Sequence, residues 1–320
     1  MLKSFFSRAV SQTDWASAYG RLLTQGLGEG SEWPHPVPFL ELKDRDAYRA
    51  HHKEHAAVLR KQRAVEQFLA WPGEPFTVPG YNALIRERVD YAVDFLYAPA
   101  GSSQPNWRER VVCPKTQLNN RLRGTLLAIE RLLAPRDLAS VRVYATEQVT
   151  AFFVWLRRVN PLAIGSEFLG AAVPRGGERN GVRNEDVTRL TFTDGAFDLV
   201  VTNDVLEHVP AYQEAYRELF RVLAPGGLLV FTVPFDMNRD DHLIRARLNP
   251  SGEIEHLLPP EYHGDPVDPQ GGVLCYQVFG WRMLEELRAV GFVRTGVLFY
   301  WSLLHGLLGP DQCVFFAFKD

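Results

Sequence analysis

The sequence predicts an α/β protein: a doubly wound, mostly parallel sheet with an antiparallel last strand, preceded by a mainly helical N-terminal domain. Three observations predict it. From about residue 140 onward, short β-rich runs alternate with helix-length segments, the rhythm of βαβ crossovers. After its Asp198, the run Phe197–Thr202 is apolar at successive positions, as a strand covered on both faces requires. Residues 1–135 lack that alternation and instead show helical spacing at Leu118, Leu122, Leu126, Ile129 and Leu133.

Taken in chain order, residues 14–27 read as a helix ended by glycines at 26, 28 and 30, and the three prolines of 32–39 force an extended segment. A long polar helix is expected over 44–71. Its basic run, from His51 to Arg63, reads as a solvated face. Turns and short strands follow over 71–114, then a helix over 117–133, closed by Pro135. The domain boundary is placed there, giving an N-terminal domain of residues 1–135 and an α/β domain of 136–320. In the second domain, strands are expected at 140–144, 162–167, 181–183, 197–202, 228–233, 293–300 and 312–318. Helices are expected at 151–159, 211–223 and 281–290, the last capped by Gly291.

The chain has 320 residues, a size that accommodates about two domains, with 46% hydrophobic and 23% charged residues. A formal net charge of −3 offers no general attraction to nucleic acid or acidic membranes, so neither is expected as a partner. The three cysteines are odd in number and far apart, which argues against a disulfide framework and for a reducing compartment. With no apolar run long enough for a signal peptide or a membrane span, a cytoplasmic location is expected.

In an open parallel sheet, ligands bind beyond the carboxyl ends of the strands. The residues standing there are Thr146, Glu147 and Gln148 after the first strand and Glu167 and Phe168 after the second. Asn184, Glu185, Asp186 and Val187 follow the third, and Asn203, Asp204 and His208 the fourth. A polar, acidic edge of this kind suits a nucleoside-bearing cofactor. A carboxylate closing the second strand, as Glu167 does, can accept hydrogen bonds from both ribose hydroxyls.

The stretch from Glu185 to Val209, containing Asp204-Val-Leu-Glu-His-Val209, together with Glu218-Leu-Phe-Arg-Val-Leu-Ala-Pro-Gly-Gly227, resembles class I S-adenosylmethionine-dependent methyltransferases. The resemblance covers residues 140 to 320 and implies a Rossmann-like fold, with S-adenosylmethionine as cofactor. It implies that Glu167 holds the ribose, Asp186 the adenine amino group and the Val187 amide a ring nitrogen, while Asn203 and Asp204 flank the methionine part. One departure stands out. The family's first loop is glycine-rich, whereas Tyr144-Ala-Thr-Glu-Gln-Val-Thr150 has no glycine. Thr146, Glu147 and Gln148 are therefore expected to hold the methionine end with side chains, Glu147 facing its ammonium. Some relatives also carry four cysteines in the N-terminal part. The corresponding stretches here, Gly80–Ile85 and Cys113–Thr116, retain only Cys113, so the chain is expected to hold no metal.

For the transfer step the candidates are His208, His263 and Asp265 as proton acceptors, with His256, Glu261 and Tyr262 lining the acceptor pocket from the proline-bounded insertion at 256–266. The expected reaction is methylation of a small molecule or a sugar hydroxyl, with the N-terminal domain shaping the acceptor site. Two alternatives remain open: attack on the aminocarboxypropyl chain of the same cofactor, releasing methylthioadenosine, and a non-catalytic binding module.

Overall fold

A computed structural model describes residues 36–71, 73–98, 101–264, 267 and 270–320. The helix expected over 14–27 lies outside the described residues.

The chain forms two compact units, each assembled from separate stretches of sequence. The larger comprises 41–50, 128–298 and 313–320. The smaller takes 51–127 and 299–312, with the described residues 36–40.

A seven-stranded sheet organises the larger unit. Its strands are β1 (Phe39–Leu42), β2 (Val143–Ala145), β3 (Ile164–Gly165), β4 (Phe197–Asn203), β5 (Leu223–Thr232), β6 (Arg294–Tyr300) and β7 (Cys313–Phe318), ordered β1-β6-β7-β5-β4-β2-β3. β2 lies parallel to both β3 and β4, and β4 is parallel to β5 with Thr232 opposite Asn203. β7 runs antiparallel to β5, Leu228 facing Phe318, as expected of the last strand. Beyond β3, Glu167 forms a parallel bridge with Asn184, so the segment after Val182–Arg183 extends the sheet on that side. Chain order reverses between β2 and β4, and in such sheets the crevice for a ligand opens at that point.

β4 and β5 are buried along nearly their whole length, since helices cover both faces of this sheet. The helices α1 (Ala151–Val159), α2 (Tyr212–Val222) and α3 (Arg282–Val290) each bury one stripe. For α2 it is Tyr212, Ala215, Tyr216, Leu219 and Val222, at helical spacing. Thr150 caps α1, its Oγ1 accepting from the Phe153 amide, and Gly291 ends α3 at a φ of 128° that side chains rarely adopt.

Beside its helices, the smaller unit holds strands within the stretch 71–114 where turns and short strands are expected. It contains a three-stranded antiparallel sheet of Phe76–Asn82, Glu87–Val93 and Val111–Val112. Along Glu87–Val93 burial alternates from Val89 onward, which is the period of a strand with one wet face. The long helix expected over 44–71 is two helices, Arg45–Glu54 and Ala56–Leu69, separated at His55. Leu69, Val78, Tyr91, Trp107, Cys113 and Leu308 share the core of this unit. Where relatives carry four cysteines, Asn82 Nδ2 donates to Cys113 Sγ at 3.2 Å. Burial pushes the Cys113 thiol up, but donors from Thr116, Asn82 and Lys115 more than offset it and hold the thiol below its ordinary value.

Candidate functional site at the carboxyl edge of the sheet

The loop after β2 is built without glycine, yet it lies close against β3. A Cβ on Gly165 would sit 2.6 Å from the Glu147 carbonyl oxygen and from the Phe153 ring. The small residue that permits close approach is therefore on the neighbouring strand. The loop is further fixed by side chains. Thr150 Oγ1 donates to Glu147 Oε2, and Asn203 Nδ2, at the end of β4, donates to Glu147 Oε1 at 2.6 Å. Glu147 and Asn203 are buried together with Thr146, whose Oγ1 has no hydrogen-bond partner among the described residues.

Glu167 is tied to the same loop. Its Oε1 accepts from the amides of Gln148 at 2.6 Å and Val149 at 2.9 Å. Gln148 spans to the third segment, donating from Nε2 to the Gly181 carbonyl and accepting at Oε1 from the Arg183 amide. The Glu185 amide donates to the Glu167 carbonyl at 3.0 Å, which places Asp186 two residues beyond Asn184, the strand neighbour of Glu167. Asp186 Oδ1 accepts from Thr188 N and Oγ1, and no hydrogen bond among the described residues reaches its Oδ2. Val187 follows, half-buried, whereas Phe168 is largely exposed.

Asp204 occupies the left-handed region at a φ of 52°, which Asp tolerates far better than a β-branched residue. Its amide donates to the Thr232 carbonyl, and Thr232 Oγ1 donates to Asp204 Oδ1 at 2.8 Å, so the ends of β4 and β5 are clasped. Thr146, Glu147, Gln148, Glu167, Asp186, Asn203 and Asp204 thus stand at the carboxyl ends of the parallel strands, drawn together from four chain segments.

A second cluster follows directly. Glu207, His208 and His263 present ligand atoms that all lie within 4.8 Å of one another. Glu207 is fully buried, and neither carboxylate oxygen has a hydrogen-bond partner among the described residues. Its Oε1 lies 3.6 Å from His263 Nδ1 and 3.7 Å from His208 Nε2, with the two rings edge to face at 5.0 Å. Burial raises the Glu207 carboxyl above its ordinary range, and the Glu207 carboxylate in turn raises His263 against the opposing effect of burial, with Glu261 adding to it. The pair holds a proton more firmly than an exposed Glu and His would.

His263 comes from the predicted insertion, on the strand Tyr262–His263 that pairs with Val273–Leu274. Glu261 reaches the cluster through His263 Nε2, at 3.2 Å, and is itself paired with Arg245 at 3.1 Å. Tyr262 is exposed on the same short strand, and His256 is exposed on a separate hairpin with Ala246–Leu248. Asp265 lies outside the described residues. Glu207 was missed from the sequence although it adjoins His208 in the Asp204–Val209 motif. Its signal is an acid between Leu206 and His208 that must turn inward.

Residues 144–231 match a family model described as a methyltransferase domain. A norajmaline N-methyltransferase from Rauvolfia serpentina is 37% identical over 76 residues, 24% of this chain and 22% of that protein. An arsenite methyltransferase from Aquipseudomonas alcaligenes is 42% identical over 48 residues, 15% of this chain and 14% of that protein. The chain thus spans less than a quarter of the length of these curated relatives. A solved S-adenosylmethionine-dependent methyltransferase from Mesorhizobium loti is 18% identical, with a TM-score of 0.39, covering 62% of this chain and 100% of that one.

Proposed function

We propose that this chain, which carries a methyltransferase domain of the class I S-adenosylmethionine-dependent family over residues 144–231, transfers a methyl group to a hydroxyl or comparable nucleophile on a small molecule. One observation carries the reading. Glu167 and Asp186 stand at the ends of adjacent parallel segments, on the edge where Glu147 and Asn203 also converge.

The donor set fits the cofactor. Glu167 is placed to receive ribose hydroxyls, Asp186 Oδ2 an adenine amino group, and the buried Glu147 carboxylate and orphaned Thr146 Oγ1 the methionine end. The bound cofactor supplies an activated methyl on a sulfonium, whose leaving group needs no further activation. The chain's own task is to position the acceptor and receive its proton. His208 donates Nδ1–H to the Leu274 carbonyl at 2.9 Å, which leaves Nε2 as a proton acceptor. His263 beside Glu207 is biased toward its charged form, so we assign it to orienting that centre rather than to removing the proton.

The relatives' printed names, an N-methyltransferase and an arsenite methyltransferase, support a small acceptor. Free thiols at Cys113, Cys275 and Cys313 suit a reducing, cytoplasmic setting, and no helix among the described residues is long and apolar enough to cross a membrane. Calorimetry with S-adenosylmethionine tests the foundation: saturable binding is expected, and none at millimolar cofactor removes it. Product analysis then separates the chemistries, S-adenosylhomocysteine for methyl transfer against methylthioadenosine for attack on the aminocarboxypropyl chain.

A further inference from the structure

With both histidines neutral and Glu207 ionised, lone pairs rather than hydrogens converge at the Glu207 cluster, and a bound cation takes the place of the proton that the centre otherwise holds. His208 Nδ1 lies 2.9 Å from the Leu274 carbonyl, an acceptor only, so a neutral His208 carries its proton there and turns the Nε2 lone pair toward Glu207. His263 Nε2 lies 3.2 Å from Glu261 Oε1, also an acceptor, so a neutral His263 donates outward and turns its Nδ1 lone pair toward Glu207. Glu207 contributes two more unsatisfied acceptors, and it is fully buried. A buried carboxylate facing two imidazole lone pairs is strongly unfavourable unless a positive charge occupies the centre.

From this geometry we infer that Glu207, His208 and His263 form a binding site for a divalent cation of the Zn2+ or Mn2+ type, placed between the segment after β4 and the strand Tyr262–His263. Two imidazoles and one carboxylate are a ligand set suited to such ions, and three protein ligands leave positions open for water or an acceptor oxygen. Both histidines have the outer support that metal ligands show: a backbone carbonyl behind His208, and a carboxylate behind His263 that is steadied by Arg245. Metal–ligand bonds of about 2.1 Å place ligand atoms about 3.3 Å apart. The separations here, 3.6 and 3.7 Å from Glu207 Oε1 and at most 4.8 Å overall, close to that with small side-chain movements. Asp204 adds negative charge that acts on Glu207. The site is unrelated to the lost cysteine positions near Cys113, and it revises the expectation that the chain holds no metal. The cation's binding stands independently of the proposed reaction. Its role there rests on the methyl-transfer reading: with the cation bound, His208 Nε2 is a ligand and no longer the proton acceptor, and the cation instead lowers the pKa of an acceptor hydroxyl held at an open position.

The full chain, freed of metal with a chelator, is titrated separately with Zn2+, Mn2+ and Mg2+ by calorimetry, and with Co2+ by visible absorption. One Zn2+ or Mn2+ per chain is expected, weaker Mg2+ binding, and a Co2+ spectrum of mixed nitrogen and oxygen coordination. His263→Ala is expected to abolish the site. Glu261→Gln, at an exposed side chain, is expected to weaken it roughly 10- to 100-fold. No binding by the unaltered chain at millimolar ion, or binding that neither variant changes, overturns the site and leaves a proton at the centre. S-adenosylmethionine affinity is measured on the same samples. Cation binding without cofactor binding keeps the site and removes the reaction, and cofactor binding without cation binding does the reverse.

Discussion

Asn203 Nδ2 donates to Glu147 Oε1 at 2.6 Å, joining the end of β4 to the loop after β2 across a sequence separation of 56 residues. That bond replaces, with side chains, part of what a glycine-rich loop achieves with bare backbone. It makes Asn203→Ala informative. A hydrogen bond to a charged group contributes about 1.5–3 kcal/mol, so S-adenosylmethionine affinity is expected to fall by roughly 10-fold or more. Asn203→Asp, which sets a second carboxylate against Glu147, is expected to cost more than the alanine. Calorimetric dissociation constants for the two variants check the order, and equal affinity to the unaltered chain removes the role given to this contact.

Gly165 is the second determinant of that loop. Gly165→Ala drives a methyl group into the Glu147 carbonyl and the Phe153 ring, and the backbone must shift because a carbonyl cannot rotate aside. Overpacking of this kind costs about 1–3 kcal/mol. Lower resistance to urea and weaker cofactor binding are expected together. Loss of stability with unchanged cofactor affinity shows that the loop's position does not matter for binding.

Glu167 separates charge from shape. Glu167→Gln keeps an oxygen to receive the Gln148 and Val149 amides, whereas Glu167→Ala removes it. On the proposed reading both lose ribose contacts. The alanine is expected to weaken cofactor binding by roughly 100-fold and the glutamine by roughly 10-fold, in keeping with the strength of charge-assisted hydrogen bonds. If the alanine binds as tightly as the unaltered chain, the nucleoside lies elsewhere.

Glu66, in the smaller unit, gives a pH-dependent outcome at a residue that takes no part in the proposed chemistry. Its Oε1 accepts from Trp301 Nε1 at 2.6 Å and the Gly309 amide at 2.7 Å. Burial raises its carboxyl above the ordinary value despite those two donors. The folded form therefore binds this proton more tightly than the unfolded chain. Its contribution to stability is fully present below the ordinary glutamate range and is lost as pH rises through the raised folded value. Glu66→Gln keeps the acceptor oxygen and carries no charge. It is expected to match or exceed the original at about pH 7.5, and to lose that advantage at about pH 4. Urea midpoints at the two pH values measure it, and an advantage that grows on acidification reverses the assignment.

Much of the larger unit was legible because local pattern and global fold agree there. The helix at 151–159 and the strands at 197–202, 228–233 and 312–318 follow from apolar runs of the right length, and sheet order limits where they can lie. The smaller unit was harder to read. Residues 76–93 contain Pro79, Gly80 and a turn, and their pairing into a sheet is a long-range event with only a weak local signature. The ends of the strands showed which polar groups share an edge, but not which of them are tied to one another.

The amino-acid order alone determined the alternation of strands and helices, the acids at positions 147, 167 and 186, and the Asp204–Val209 motif, because periodicity and strand-end chemistry are local properties. Only the tertiary structure decided that Gly165 does for its neighbouring loop what that loop's own residues cannot. It alone decided that Glu207 turns inward, and that His263, 56 residues later, meets it. Burial and convergence belong to the packed chain: an exposed Glu beside a His is an ordinary surface pair, whereas the same acid without water must find a positive charge.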